Sequence, residues 1–270
     1  MASNSSTAGS AARAAQDSAV FEVLARIGYV VLGVLHLLIG LIAITVAGGG
    51  SGEADQGGAL TQIQQSPLGV ALLWIVVAGM AALAVWQIAE ALLVREPDAK
   101  KAWGQRIKFL GTAVAYIAIA ITGITFAVGG SSDSSESSQS LSASLMASPG
   151  GIVLLVLVGL VIAGVGAAFV VRGITRAFTK KLALPSGAAK SGIVAFGVVG
   201  YIAKGIAVGV AGILFVVAAF THDPETAGGL NSALYTLTTL PFGVAILWVV
   251  GAGLVLYGLF CFARARYARM

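Results

Sequence analysis

His36, Gln87, Glu90 and Lys204 are polar side chains set in stretches dominated by apolar residues. Ionisable groups are costly in lipid, so each is a functional hypothesis by default. His36 lies about ten residues into its apolar run. It suits a ligand or proton relay, or a neutral imidazole bonded to a backbone carbonyl or to Gln87. Glu90 and Lys204 fall at similar depth in the inner halves of their runs, where opposite charges pair; we expect a structural ion pair between them. Cys261 is the one cysteine, so it makes no intramolecular disulfide and no metal cluster, and reads as a small buried packing residue. His222-Asp223-Pro224-Glu225 has the residue types of a metal site but reads as a solvated turn. The chain has no P-loop, no Gly-x-Gly-x2-Gly, no His-Glu-x2-His and no Gly-x-Ser-x-Gly. No catalytic set, metal or cofactor is therefore expected.

The elements that must position these residues are set by hydropathy. Apolar residues make up 58% of the 270 and charged residues 10%. A soluble domain carries about 25% charged residues, so most of this surface must face lipid. Six stretches, 24–47, 68–93, 106–129, 150–171, 193–219 and 242–263, meet the roughly 20 residues needed to cross a bilayer. All 16 Lys and Arg fall on one side of this map. The opposite side carries Glu53, Asp55, Asp133, Glu136, Asp223 and Glu225. Lys and Arg stay cytoplasmic, so both termini are expected inside, in the cytoplasmic (inner) membrane. The net charge of +5 sits in short loops at helix ends and signals lipid headgroups, not nucleic acid. Residues 1–21, rich in Ser, Ala and Gly, read as a disordered cytoplasmic tail.

The six spans are three copies of one hairpin: residues 22–95, 104–178 and 191–265. Gly28, Gly111 and Gly200 align, as do Gly40, Gly123 and Gly212 twelve residues on. Pro67, Pro149 and Pro241 align and suit the first turn of each even-numbered span. From these prolines the register brings together Trp74, Val156 and Trp248, then Glu90, Arg172 and Arg264. Arg172 and Arg264 are expected to snorkel to the headgroups. Two spans per unit give all three copies one orientation, and they can close around a pseudo-threefold axis. Leu60 and Ile63, Leu141, Leu145 and Met146, and Leu230, Leu234, Leu237 and Leu240 have helical spacing and predict a short helix on the outer surface in each copy. The Ser-rich segment 129–140 is expected to be mobile. Gly197-x2-Gly200 and Gly205-x3-Gly209 are faces for close helix packing, inside the chain or between copies.

Arg26-x-Gly28-Tyr29-x3-Gly33, the Pro-opened, Trp-bearing second span and the three copies resemble the bacterial domain of unknown function 1206 family, found chiefly in actinobacteria. The resemblance covers about residues 22–265 and is weakest in the second copy, where Thr112 replaces Tyr and Val156 replaces Trp. It implies an all-α membrane fold of three two-helix repeats and carries no chemistry. The expected function is non-catalytic: binding membrane lipid, or scaffolding another membrane protein or a second copy of the chain. The alternative is a small transporter or channel with a pathway near the repeat axis through His36.

Overall fold

The computed structural model describes residues 19–94 and 96–268. Six long apolar helices form the body: α1 (Ala19–Ala47), α3 (Gly69–Leu92), α4 (Ala99–Ala127), α6 (Gly151–Ile174), α7 (Ala188–Thr221) and α9 (Gly243–Tyr267). Backbone groups have no partner in hydrocarbon, so a helix that bonds them internally is the form such runs must take. The last three residues assigned to the tail already belong to α1; the rest of it, with Arg13, Arg95 and Arg269, lies outside the described residues.

Three short helices cap the span ends remote from the two termini, the outer ends of the ring: α2 (Gln56–Gln64), α5 (Ser134–Met146) and α8 (Gly229–Thr238). Asp55 and Asp133 start α2 and α5 as N-caps, accepting from the Gly58 amide and from those of Ser135 and Glu136. Asp223 does the same for the 3-10 turn Pro224–Ala227 ahead of α8. The expectation that 129–140 is mobile is corrected from Ser134 onward: Asp133 nucleates α5, and Ser137 and Ser138 hydroxyls return to carbonyls one turn back at 2.8 Å. The prolines are also displaced from expectation. Each lies just ahead of its N-cap, Leu68, Gly150 or Phe242, in the turn leading from the surface helix to the span. The glycine two residues on is forced by close approach. A Cβ on Gly69, Gly151 or Gly243 would lie 2.3, 1.6 or 2.1 Å from a carbonyl of the preceding short helix.

The spans close as a ring in which the second helix of one repeat packs on the first of the next: α3 on α4, α6 on α7, and α9 on α1. The last pairing joins repeat three to repeat one, which is pseudo-threefold closure. Register confirms it. Gly40 meets Gly251, and its counterpart Gly212 meets Gly159, each through backbone atoms closer than 3 Å to a built Cβ. Gly33 on Gly258 and Gly205 on Gly166 repeat the match two turns inward. At the α3–α4 seam the counterparts are Gly123 over Val77, and Tyr116 opposite Ala84 in register. Outside the spans three polar clasps run in the same cyclic order. Gln64 donates to the carbonyls of Phe126 and Gly130, Gln139 to that of Glu225, and the Ala54 amide to Asn231 Oδ1.

Within repeats the ring is uneven. α1 packs on α3 and α7 on α9, but α4 and α6 are not a packed pair. Gly28 abuts the Gly79 carbonyl and Leu83 of its own second span, and Gly200 abuts Tyr257. Their counterpart Gly111 meets nothing within 4 Å. The apolar stretches of α4 and α6 are only 33% and 17% buried, against 50–61% for the other four. The ring is therefore open to lipid along one flank. Gly258→Val pushes a side chain into the Gly33 backbone and should cost about 1–3 kcal/mol by overpacking. Gly164→Val, pointing into open space on α6, should leave thermal unfolding in detergent unchanged; equal losses for the two would refute the seam.

Candidate functional site

His36 is 7% exposed and held at both ring nitrogens. Nδ1 lies 2.8 Å from the Leu32 carbonyl, an acceptor only, so the ring proton sits there. Nε2 then offers its lone pair to the Lys204 ammonium, 3.0 Å away. Two aromatic faces complete the cage: the ammonium lies 4.6 Å from the Tyr257 ring centroid and 5.2 Å from that of Phe169. The cage thus draws on α1, α6, α7 and α9. Among the described residues no carboxylate lies within 4.0 Å of Lys204.

The expected Glu90–Lys204 pair is not formed. Glu90 is in the last turn of α3, at the inner face, whereas Lys204 sits in the middle of the 34-residue α7 and reaches His36. Glu90 pairs instead with Lys181 at 3.2 Å. Lys181 comes from the 3-10 turn Ala177–Lys181 after α6, which folds back because Phe178 is buried there, stacked on Tyr201 at 5.1 Å. Gln87 does not reach His36 either. It lies 18 residues into α3, near the inner end, where it lines a small pocket with Tyr29, Trp86, Glu90, Lys181 and Arg264. His36 is 11 residues from the outer end of α1, so the two differ in depth by about 10 Å at 1.5 Å per residue.

Nor do Arg264 and Arg172 simply snorkel. Arg264 lies 4.3 Å over the Tyr29 ring and donates to its hydroxyl at 3.1 Å; Arg172 lies 5.3 Å over Tyr201. Each is the charged residue of one repeat resting on the tyrosine of the next. At the third such place both partners differ, Glu90 for Arg and Thr112 for Tyr, and Lys181 completes the site. The packing glycines act inside the chain. Gly197 admits the Phe178 ring, Gly200 the Tyr257 backbone and Gly205 the Gly166 carbonyl, whereas a Cβ on Gly209 would meet nothing within 4 Å: there it is Gly166 that makes room for the Gly209 backbone. Cys261 is a free thiol, fully buried.

The repeat geometry has a counterpart among known proteins. The model of a family described as Domain of Unknown Function (DUF1206) matches three times, over residues 27–93, 107–176 and 199–268. The chain belongs to the DUF1206 family. The three matches coincide with the three two-helix units of the ring, so one DUF1206 unit is one hairpin with its outer cap. The chain is also similar to the uncharacterized protein YxxB of Bacillus subtilis (strain 168), at 28% identity over 251 residues, 91% of this chain and 90% of that protein. No solved structure matches. With six apolar helices, this DUF1206 chain reads as a multi-pass membrane protein.

Two features of the DUF1206 ring were missed in sequence. One is the inward-folded Phe178–Lys181 turn, signalled only by an aromatic residue in a basic loop. The other is the acidic contact between the first two caps. Asp55 is 1% exposed, and burial, together with the Asp133 carboxylate, raises its pKa; Glu53 is raised by burial and then by Asp133 and Asp55. A carboxyl with a raised folded pKa favours folding when neutral. That contribution is full below the ordinary carboxyl pKa and is lost as pH climbs through the raised one. Asp55→Asn keeps the cap to the Gly58 amide and removes the charge. It should unfold at higher temperature than wild type at neutral pH, with the gap closing as pH falls to about 4. A gap that stays constant with pH would exclude the charge as its cause.

Proposed function

We propose that the protein is a non-catalytic membrane protein that holds a lipid in the flank between α4 and α6. The supporting observation is the single break in the ring. Gly111 faces open space where Gly28 and Gly200 meet their own second spans. A slot in hydrocarbon fills with acyl chain, and helices in lipid associate only where close packing or hydrogen bonds hold them. The cyclic clasps and glycine seams hold the other five contacts, so the slot is a fixed feature of the fold. In this reading both termini face the cytoplasm, placed there by the Lys and Arg asymmetry, and a bound lipid or the exposed flank presents the protein to a partner membrane complex.

Native mass spectrometry of the protein, extracted in mild detergent from its own membranes, should show the 27.1 kDa chain carrying one retained lipid. Gly111→Leu adds a side chain to the open slot and replaces a poor helix former, so it should fold and lose that lipid. A bare wild-type monomer, or a lipid-free homo-oligomer, would sink the reading.

The His36–Lys204 cage favours a second reading, a proton or solute pathway, because an intramembrane cation without a carboxylate partner is expensive unless it is used. In proteoliposomes loaded with a pH-sensitive dye, this reading expects wild type to dissipate a pH gradient and His36→Leu to abolish that flux with folding intact. Equal flux from the two would remove His36 from any pathway.

A further inference from the structure

The inner mouth of the open flank has a chemistry that the rest of the ring lacks. Lys108 on α4 occupies the register position of Ala25 and Gly197, both buried against the core in their repeats. In repeat two this position is exposed and carries a cation. Lys108 lies within electrostatic reach of Arg172, Lys181 and Arg264, with Glu90 the one acidic member of the group. Glu90 is already engaged by Lys181 at 3.2 Å. Lys108 and Arg172 therefore stand on the two helices that fail to pack, one on each side of the slot, with an excess of positive charge behind them. Gly111 lies one helical turn outward from Lys108 and leaves room between them.

An anion placed among like charges converging at the edge of hydrocarbon stabilises them. Basic pockets between spans on the cytoplasmic side suit phosphate headgroups whose acyl chains enter the adjacent slot. We infer that the slot between α4 and α6 is an anionic phospholipid site, with the phosphate held between Lys108 and Arg172. This rests on the lipid-holding reading above and adds the headgroup class. The remaining cations act from the rear: Lys181 is fixed by Glu90 and the Phe109 ring at 4.8 Å, and Arg264 by Tyr29.

The test equilibrates the full chain with mixed detergent micelles of equal phosphatidylglycerol and phosphatidylcholine and reads the retained lipid by native mass spectrometry. Wild type should retain phosphatidylglycerol in preference. The double variant Lys108→Gln/Arg172→Gln should lower that preference roughly tenfold to thirtyfold. Lys100→Gln/Lys101→Gln, which removes the same charge from the exposed start of α4, should keep it. Lipid retained without headgroup preference, or preference unchanged in the Lys108/Arg172 variant, overturns this inference and leaves the lipid-holding reading standing. So does equal loss in the control. Retention of no lipid by any form, or a second copy of the chain seated on α4 and α6, overturns both.

Discussion

The approach of helix backbones at glycine carries the ring. Lipid tails are as apolar as the side chains they would replace, so spans gain little by burying apolar surface against each other. Contact must come from van der Waals packing, which falls off within a fraction of an ångström. At Gly40–Gly251 and Gly159–Gly212 no side chain intervenes between the helices. The same pairing two turns inward, Gly33–Gly258 and Gly166–Gly205, makes each seam two turns long and fixes helix register as well as distance. A slip of one residue would set Leu or Val against a backbone carbonyl.

Symmetry then explains which parts of the ring are free to vary. Three equal repeats would make three equal seams and three closed hairpins. The α3–α4 seam keeps one glycine, Gly123, and uses Tyr116 and Ala84 in place of the inner pair; Tyr116 is 8% exposed and fills the space a glycine contact would close. The charged residue and its tyrosine also change together there, to Glu90 and Thr112. A lysine from outside the spans, Lys181, supplies the opposite charge. Repeat two is thus the unit where pairwise matches were exchanged rather than lost. It is also the unit whose own two helices stand apart. The outer clasps from Gln64, Gln139 and Asn231 keep the ring closed above this break, so the opening is confined to the lipid-facing wall.

Much of this was legible in residue spacing because spans, caps and repeats are periodic. The aligned glycines and prolines located three hairpins, and the hairpins predicted the three surface helices. What stayed hidden depended on which helix meets which. From their apolar runs Lys204 and Glu90 read as opposite charges at similar depth, yet Lys204 sits in mid-helix against His36 and Glu90 in the last turn of its helix against Lys181. An apolar run bounds depth along a helix only loosely and says nothing of azimuth around it, and a pair needs both. Phe178 was hidden for another reason. It lies in a basic connection that hydropathy assigns to water, and only the gap that Gly197 leaves beneath it makes the interior available.

The His36–Lys204 cage illustrates how such a ring can hold a cation without an anion. The ammonium donates one hydrogen bond to a fixed imidazole lone pair and faces two aromatic rings. Cation–π contact and a neutral acceptor offset part of the cost of leaving water, and neither introduces a second buried charge. His36 is oriented by the carbonyl of its own helix, so the acceptor does not depend on Lys204 for its position. His36, Lys204 and Tyr257 come from repeats one and three and Phe169 from repeat two. All three repeats meet at this one polar point in the interior. A change in the spacing of α6 relative to α7 would therefore be felt at Lys204 through Phe169, and the least buried helix of the ring is the one that can move.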